Sequence, residues 1–157
     1  MTLIICDTKM NTLQLQKILE YYAKDKSFFY GVFPIDKLPS IELYPSCLIM
    51  NNQTSKQKGE HWLSIYFNKH GHCEFFDSFG KSPAFYGVLQ YLKKYSTRIV
   101  YNRSMIQSNI SEYCGLYCVF FLIFKIKGHS MKFYKNLFKK NPLSNDLMFS
   151  KWIDKYF

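Results

Sequence analysis

From Cys114 to Phe124 every residue is apolar or glycine, so no angle around a helix would turn a polar face to water. A helix of that kind belongs inside a protein. The run is too short to span a bilayer and is closed by Lys125 and Lys127, which predicts a central buried helix with Cys114 at or near its first turn. Elsewhere the pattern is one-sided. After the capping candidates Asn11 and Thr12, Leu15, Ile18, Leu19 and Tyr22 recur on one face, predicting a first helix to about Lys24. Residues 28–39 (FFYGVFPIDKLP) are punctuated by Gly31, Pro34 and Pro39 and read as a surface loop. Residues 46–51 (SCLIMN) read as a short buried strand, and the polar stretch 52–60 as a loop.

Residues 61–67 (HWLSIYF) and 72–77 (HCEFFD) have strand composition and are joined by the turn NKHG, which predicts a hairpin. SFGKSP (78–83) is a further turn. Residues 84–95 predict a helix with Val88, Leu89 and Leu92 inward, 98–101 a short strand leading towards Gln107, and 131–140 and 144–157 two terminal helices. Helix, strands and then helices give a single α+β domain over residues 1–157. Its mixed, mainly antiparallel sheet is packed by the central buried helix and flanking helices.

Composition narrows this picture in three ways. With 157 residues, 19% of them aromatic, the chain can build one real core and does not read as disordered. The net charge of +10 suits a polyanionic partner. Five cysteines, an odd number without framework spacing, point to a reduced intracellular chain. The start, MTLIICDTK, has no charged n-region and only a brief apolar run, so neither a signal peptide nor a membrane span is expected.

Chemistry enters with Cys114. A thiol in the first turn of a helix meets unpaired backbone N–H groups and the positive end of the helix dipole, which favour the thiolate. Gly115 would let a substrate backbone approach the sulfur, and Gln107 could donate to an oxyanion beside it. His61 at the start of one hairpin strand and Asp77 at the end of its partner become neighbours when the strands pair. The carboxylate would then fix the imidazole tautomer, with the other ring nitrogen facing Cys114. Each residue alone has a plain structural role: packing for Cys114 and Trp62, a turn for Asp77, a loop for Gln107. Together they form a nucleophile, a base, an orienting acid and an oxyanion donor.

GEHWL (59–63), FFDSFG (75–80), Gln107 and CGLYC (114–118) resemble the motifs of the adenain-type viral cysteine proteases, found in adenoviruses, virophages and Polinton-like elements. FYGVFPIDKLP and CLIMNN also resemble those members, so the likeness runs from residue 29 to 122. It implies a papain-like (adenain-like) core and a cysteine endopeptidase that processes virion (capsid) precursor proteins beside small residues such as Gly. Catalysis would rest on Cys114, His61, Asp77 and Gln107, with Trp62 roofing a narrow substrate groove and Gly115 beside it. It further implies a monomer acting in the virion and the host-cell interior, in the virus factory or nucleus. SUMO-deconjugating proteases share the same residue order, and a SUMO- or ubiquitin-like deconjugating enzyme is the alternative. Those usually carry Asp directly before the nucleophile, where this chain has Tyr113. One departure stands out: no cysteine lies between Cys73 and Cys114, where adenoviral members take a disulfide from an activating peptide.

No metal or other cofactor is required. His70, His72, Cys73 and Cys118 lack paired zinc-ligand spacing. A purely nucleic-acid-binding module is disfavoured, because the aromatics sit in apolar runs rather than between Lys and Arg. The segment 125–140 nevertheless holds six lysines (Lys125, Lys127, Lys132, Lys135, Lys139, Lys140) and no acid. With Ile126, Met131, Phe133, Tyr134, Leu137 and Phe138 turned inward, those lysines would form a face for viral DNA, and the resemblance adds DNA as a polyanionic activator. A solvated face is the plainer reading.

Overall fold

A computed structural model describes residues 9–156, with side chains through residue 151. The apolar start of the chain and the final residue lie outside the described residues. The first helix, α1 (Thr12–Ala23), begins on Asn11, whose side chain accepts the Gln14 N–H while the Gln14 side chain accepts the Asn11 N–H. That reciprocal cap satisfies two orphan backbone donors and fixes where the helix starts. Leu15, Ile18, Leu19 and Ala23 are buried along one face.

Five strands follow: β1 (Phe28–Pro34), β2 (Ser46–Asn51), β3 (Trp62–Phe67), β4 (His72–Phe76) and β5 (Arg98–Tyr101). They lie side by side in chain order, with β1–β2 and β4–β5 parallel and β2–β3 and β3–β4 antiparallel. The sheet is mixed, as the sequence predicts, but its pairings divide equally between the two senses. The difference comes from β1, which the sequence reads as a loop. Gly31 sits at a register shift with φ +128°, and Pro34 ends a strand on the sheet edge. Bulges and edges are the places where a strand accepts glycine and proline.

Alternate residues of the strands feed two apolar layers. Cys47, Ile49 and Phe76 pack under α1 and the central helix α3 (Cys114–Ile126). Leu48, Met50, Leu63, Ile65, Phe67, Cys73 and Phe75 face the other way, against Val88 and Leu92. Helix α2 (Leu89–Tyr95) is shorter than the predicted 84–95, because Gly87 at φ +77° closes a turn that no right-handed helix can contain. Beyond α3, the predicted 131–140 helix is only α4 (Met131–Asn136), and α5 (Pro142–Tyr156) starts on Pro142, a residue suited to the first helical turn. Among the described residues no helix is long and apolar enough to cross a membrane.

Candidate functional site

The hairpin β3–β4 ends where the chemistry begins. His61 directly precedes β3 and Asp77 directly follows β4, and His61 Nε2 lies 2.6 Å from Asp77 Oδ1. Both side chains are withdrawn from water. Phe79 stacks on the imidazole with ring centroids 4.6 Å apart, and the Tyr86 ring lies 6.2 Å away on a similar plane. With Nε2 held by Asp77, Nδ1 is the ring nitrogen left for Cys114, which lines the same cleft.

The carboxylate of Asp77 is saturated. Oδ1 also accepts the Phe79 N–H at 3.0 Å, and Oδ2 accepts the Lys81 N–H at 2.9 Å and the Tyr86 hydroxyl at 2.8 Å. Burial works against its charge, but the hydrogen bond and the positive charge of His61, with the Phe79 N–H and Tyr86 hydroxyl, hold Asp77 below its ordinary pKa. Burial also opposes the charged imidazole. The hydrogen bonds and negative charge of Asp77 and Cys114 prevail, raising His61 to about 9. The pocket therefore favours an imidazolium between a carboxylate and a sulfur.

The turn after β4 joins both sides of the site. Ser78, the residue after Asp77, donates its hydroxyl to Gln107 Oε1 at 2.6 Å. Its carbonyl accepts the Ile106 and Gln107 N–H groups at 2.9 and 3.1 Å. With the amide oxygen pinned, the nitrogen end of Gln107 is oriented, and it donates to the Ser111 carbonyl and hydroxyl at 2.9 and 3.1 Å. Asn102, just past β5, grips the Asp77 backbone from the parallel neighbour strand. Its Oδ1 accepts the Asp77 N–H at 3.0 Å and its Nδ2 donates to the Asp77 carbonyl. His61, Trp62, Tyr86, Gln107, Ser111 and Cys114 are among the residues lining one cleft of about 410 Å³.

Cys114 is the first residue of α3 and stands in this cleft. Cys118, one turn on, is fully buried with its sulfur 3.2 Å from the Trp62 carbonyl, and burial pushes its thiol well up. Cys47, raised to about 12, and Cys73 are held protonated in the same way.

Two sequence readings need correction. Gly115 does not open towards a substrate: a Cβ there would lie 3.0 Å from Met10 Cβ and 3.2 Å from Trp62 Cδ1. Its missing side chain admits the protein's own packing, because it sits on the α3 face turned to the start of α1. Trp62 itself is half-buried between this cleft and a neighbouring groove, its indole N–H donating to the Met10 carbonyl at 3.0 Å. The second correction is Lys125, which does not join an outward lysine face. It pairs with Glu74 and lies over the Tyr66 ring at 5.3 Å, its side chain only 10% exposed. Lys127, Lys132, Lys139 and Lys140 are exposed and Lys135 is half-buried, while Phe133, expected inward, is exposed.

Ser78, Phe79, Tyr86, Ser111 and Asn102 were not singled out by sequence. Ser78 and Phe79 lie inside the FFDSFG motif. Asn102 carries the weaker signal of a polar residue closing a predicted strand, useful only once β5 is known to run parallel to β4. Among the described residues no three His, Cys, Asp or Glu side chains gather as a metal site would require.

No known family pattern matches this sequence, and no curated protein does. Among solved structures it is similar to the selenomethionine form of the ASFV pS273R protease, with a TM-score of 0.64 and 16% identity. The match covers 82% of this chain and 62% of that one, so the chain spans less than two thirds of the protease it resembles. At that identity the likeness is one of architecture: the α+β fold of this chain, with its mixed sheet and buried central helix, is a fold also found in a protease.

Proposed function

We propose that this chain is a cysteine endopeptidase that cuts viral precursor proteins beside small residues, with Cys114 as nucleophile. The observation that carries the reading is the buried His61–Asp77 pair at 2.6 Å, which shares one cleft with a cysteine that opens a buried helix. The likeness to a protease fold supports it.

In this mechanism the Cys114 sulfur attacks the scissile carbonyl carbon, and the carbonyl oxygen becomes an oxyanion held by the Cys114 N–H and by Gln107 Nε2, which turns one of its N–H groups from Ser111 to the oxyanion. The oxyanion collapses as the C–N bond breaks, and the His61 imidazolium gives its proton to the departing amine. The imidazole then takes a proton from water, whose oxygen attacks the thioester. Sulfur leaves, the acid product departs and the imidazolium–sulfur pair is restored. Asp77 remains ionised throughout, orienting the ring and stabilising its charge. Trp62, lining the cleft beside His61, would limit the side chains that reach the sulfur. The exposed lysines of α4 and the turn after it would hold the enzyme on a polyanion such as DNA.

Incubation with candidate virion precursors, with new termini read by mass spectrometry, tests the reading. Cuts flanked by small residues, absent with Cys114→Ala, are expected. Inert precursors combined with covalent capture by a ubiquitin-like C-terminal electrophile would assign the site to deconjugation instead.

A further inference from the structure

The segment that carries Gln107 lies between β5 and α3 without regular structure of its own, and one side of it is fastened to the Ser78 carbonyl. The other side is fastened by α5. Asp146 Oδ2 accepts the Ser108 N–H at 3.2 Å, and its Oδ1 accepts the Tyr117 hydroxyl at 2.8 Å. Asn145 Nδ2 donates to the Ile106 carbonyl at 2.9 Å, which also lies 3.3 Å from the Tyr117 hydroxyl. Asn145 further holds the Lys139 backbone, its Oδ1 accepting the N–H at 2.7 Å and its Nδ2 donating to the carbonyl at 2.9 Å. The residues on either side of Gln107 thus have their peptide groups held by two neighbouring side chains of one helix.

Asn145 and Asp146 are 1% and 4% exposed. Withdrawing a carboxylate and an amide from water is costly unless every group is paired, and apolar packing would join α5 to the core as well. What these groups add is direction. They fix the height and rotation of the two peptide units that flank the Gln107 Cα, and with them the point from which the Gln107 amide reaches the cleft.

We infer that Asp146, with Asn145 and Tyr117, is a positioning residue for the oxyanion arm. This rests on the protease reading for its kinetic consequence and on geometry alone for its structural one. An oxyanion donor helps only when it is preset where charge develops, so a slack arm slows acylation without weakening substrate binding.

Asp146→Ala is the test, with Asp146→Asn as the conservative variant. The asparagine can still accept from the Ser108 N–H while its amide nitrogen donates to the Tyr117 hydroxyl. Expected for Asp146→Ala is a kcat about 10- to 100-fold lower with a near-normal KM, the scale of loss from a small misplacement of reacting groups. Asp146→Asn should recover most of that loss. Alkylation of Cys114 by iodoacetamide should keep its wild-type rate and pH profile in both. There the sulfur displaces iodide from carbon, no oxyanion forms, and only the sulfur and His61 matter. Alkylation falling in step with kcat, a KM effect instead of a kcat effect, or an asparagine variant as slow as the alanine one overturns the inference.

Hydrogen exchange at the Ser108 amide separates this failure from failure of the protease reading. It should quicken in Asp146→Ala and return in Asp146→Asn whether or not any peptide is cut, and unchanged exchange overturns the clamp. If Asp146→Ala does not fold, Tyr117→Phe keeps the ring and removes the hydroxyl between Ile106 and Asp146. A normal kcat and normal exchange in that variant also overturn it.

Discussion

His61 is held charged by its neighbours against the cost of its own burial, and pH acts on that balance directly. Its folded pKa of about 9 lies above the ordinary 6.5. The stabilisation from the imidazolium is therefore fully present below 6.5 and lost as pH rises through about 9. Melting temperature should decline across that window in the wild type and much less in His61→Ala. Asp77 has the opposite sign: its contribution is present above the ordinary 3.8 and lost as pH falls through its lower folded value. On the proposed mechanism kcat/KM should also fall above about 9, as the proton for the leaving amine is lost. Asp77→Asn should move that limb to lower pH and reduce kcat by about 10³- to 10⁴-fold. A rate limb that stays in place in Asp77→Asn would remove Asp77 from the role. Gln107→Ala should lower kcat by about 10²- to 10³-fold with KM little changed. A pure KM effect would make Gln107 a substrate contact.

The elements hold these residues in place at the ends of strands and helices, and the turn after β4 is the tightest joint. Gly80 there has φ +73°, and a Cβ on it would lie 2.6 Å from the Ser104 carbonyl carbon and 2.8 Å from its oxygen. Backbone cannot yield as a flexible side chain can. Gly80→Ala should cost about 1–3 kcal/mol or more, measured by urea unfolding, and should loosen both Asp77 and Ser78. A substitution without effect would mean that the turn adjusts freely. Much of this scaffold was legible in the sequence. The β2 and β5 ranges, the hairpin and the entry of α3 at Cys114 follow from apolar runs with clear stops. The two strand ends that bring His61 to Asp77 follow from antiparallel pairing. Parallel partners left no such trace. β1 was hidden by Gly31 and Pro34, and Asn102 reaches Asp77 only across the β4–β5 pairing, which joins segments separated by a turn and a helix. The grip of Asn145 and Asp146 on the Gln107 segment was likewise invisible, because it depends on where α5 packs and not on local spacing.

At the scale of the molecule the +10 charge is the least specific feature, and the fold redistributes it. Lys125 is drawn against Glu74 and Tyr66, so changing it should alter stability and not polyanion binding. If the remaining lysines hold duplex DNA, log K should fall linearly with log salt, by about 0.9 per phosphate neutralised. Changing both Lys139 and Lys140 to Glu should flatten that slope in fluorescence anisotropy. An unaltered slope would place any binding elsewhere, and no binding at low salt would leave a solvated face. The chemistry itself is tested most directly by trapping the intermediate. A peptide ester with a small residue before the scissile bond is mixed with the chain, quenched in acid within the first turnover, and the protein weighed and mapped. The mechanism predicts one acyl group, as a thioester on the peptide containing Cys114, that disappears as product forms and never appears in Cys114→Ala. Undiminished turnover by Cys114→Ala, or an acyl group carried by any other residue, would contradict it.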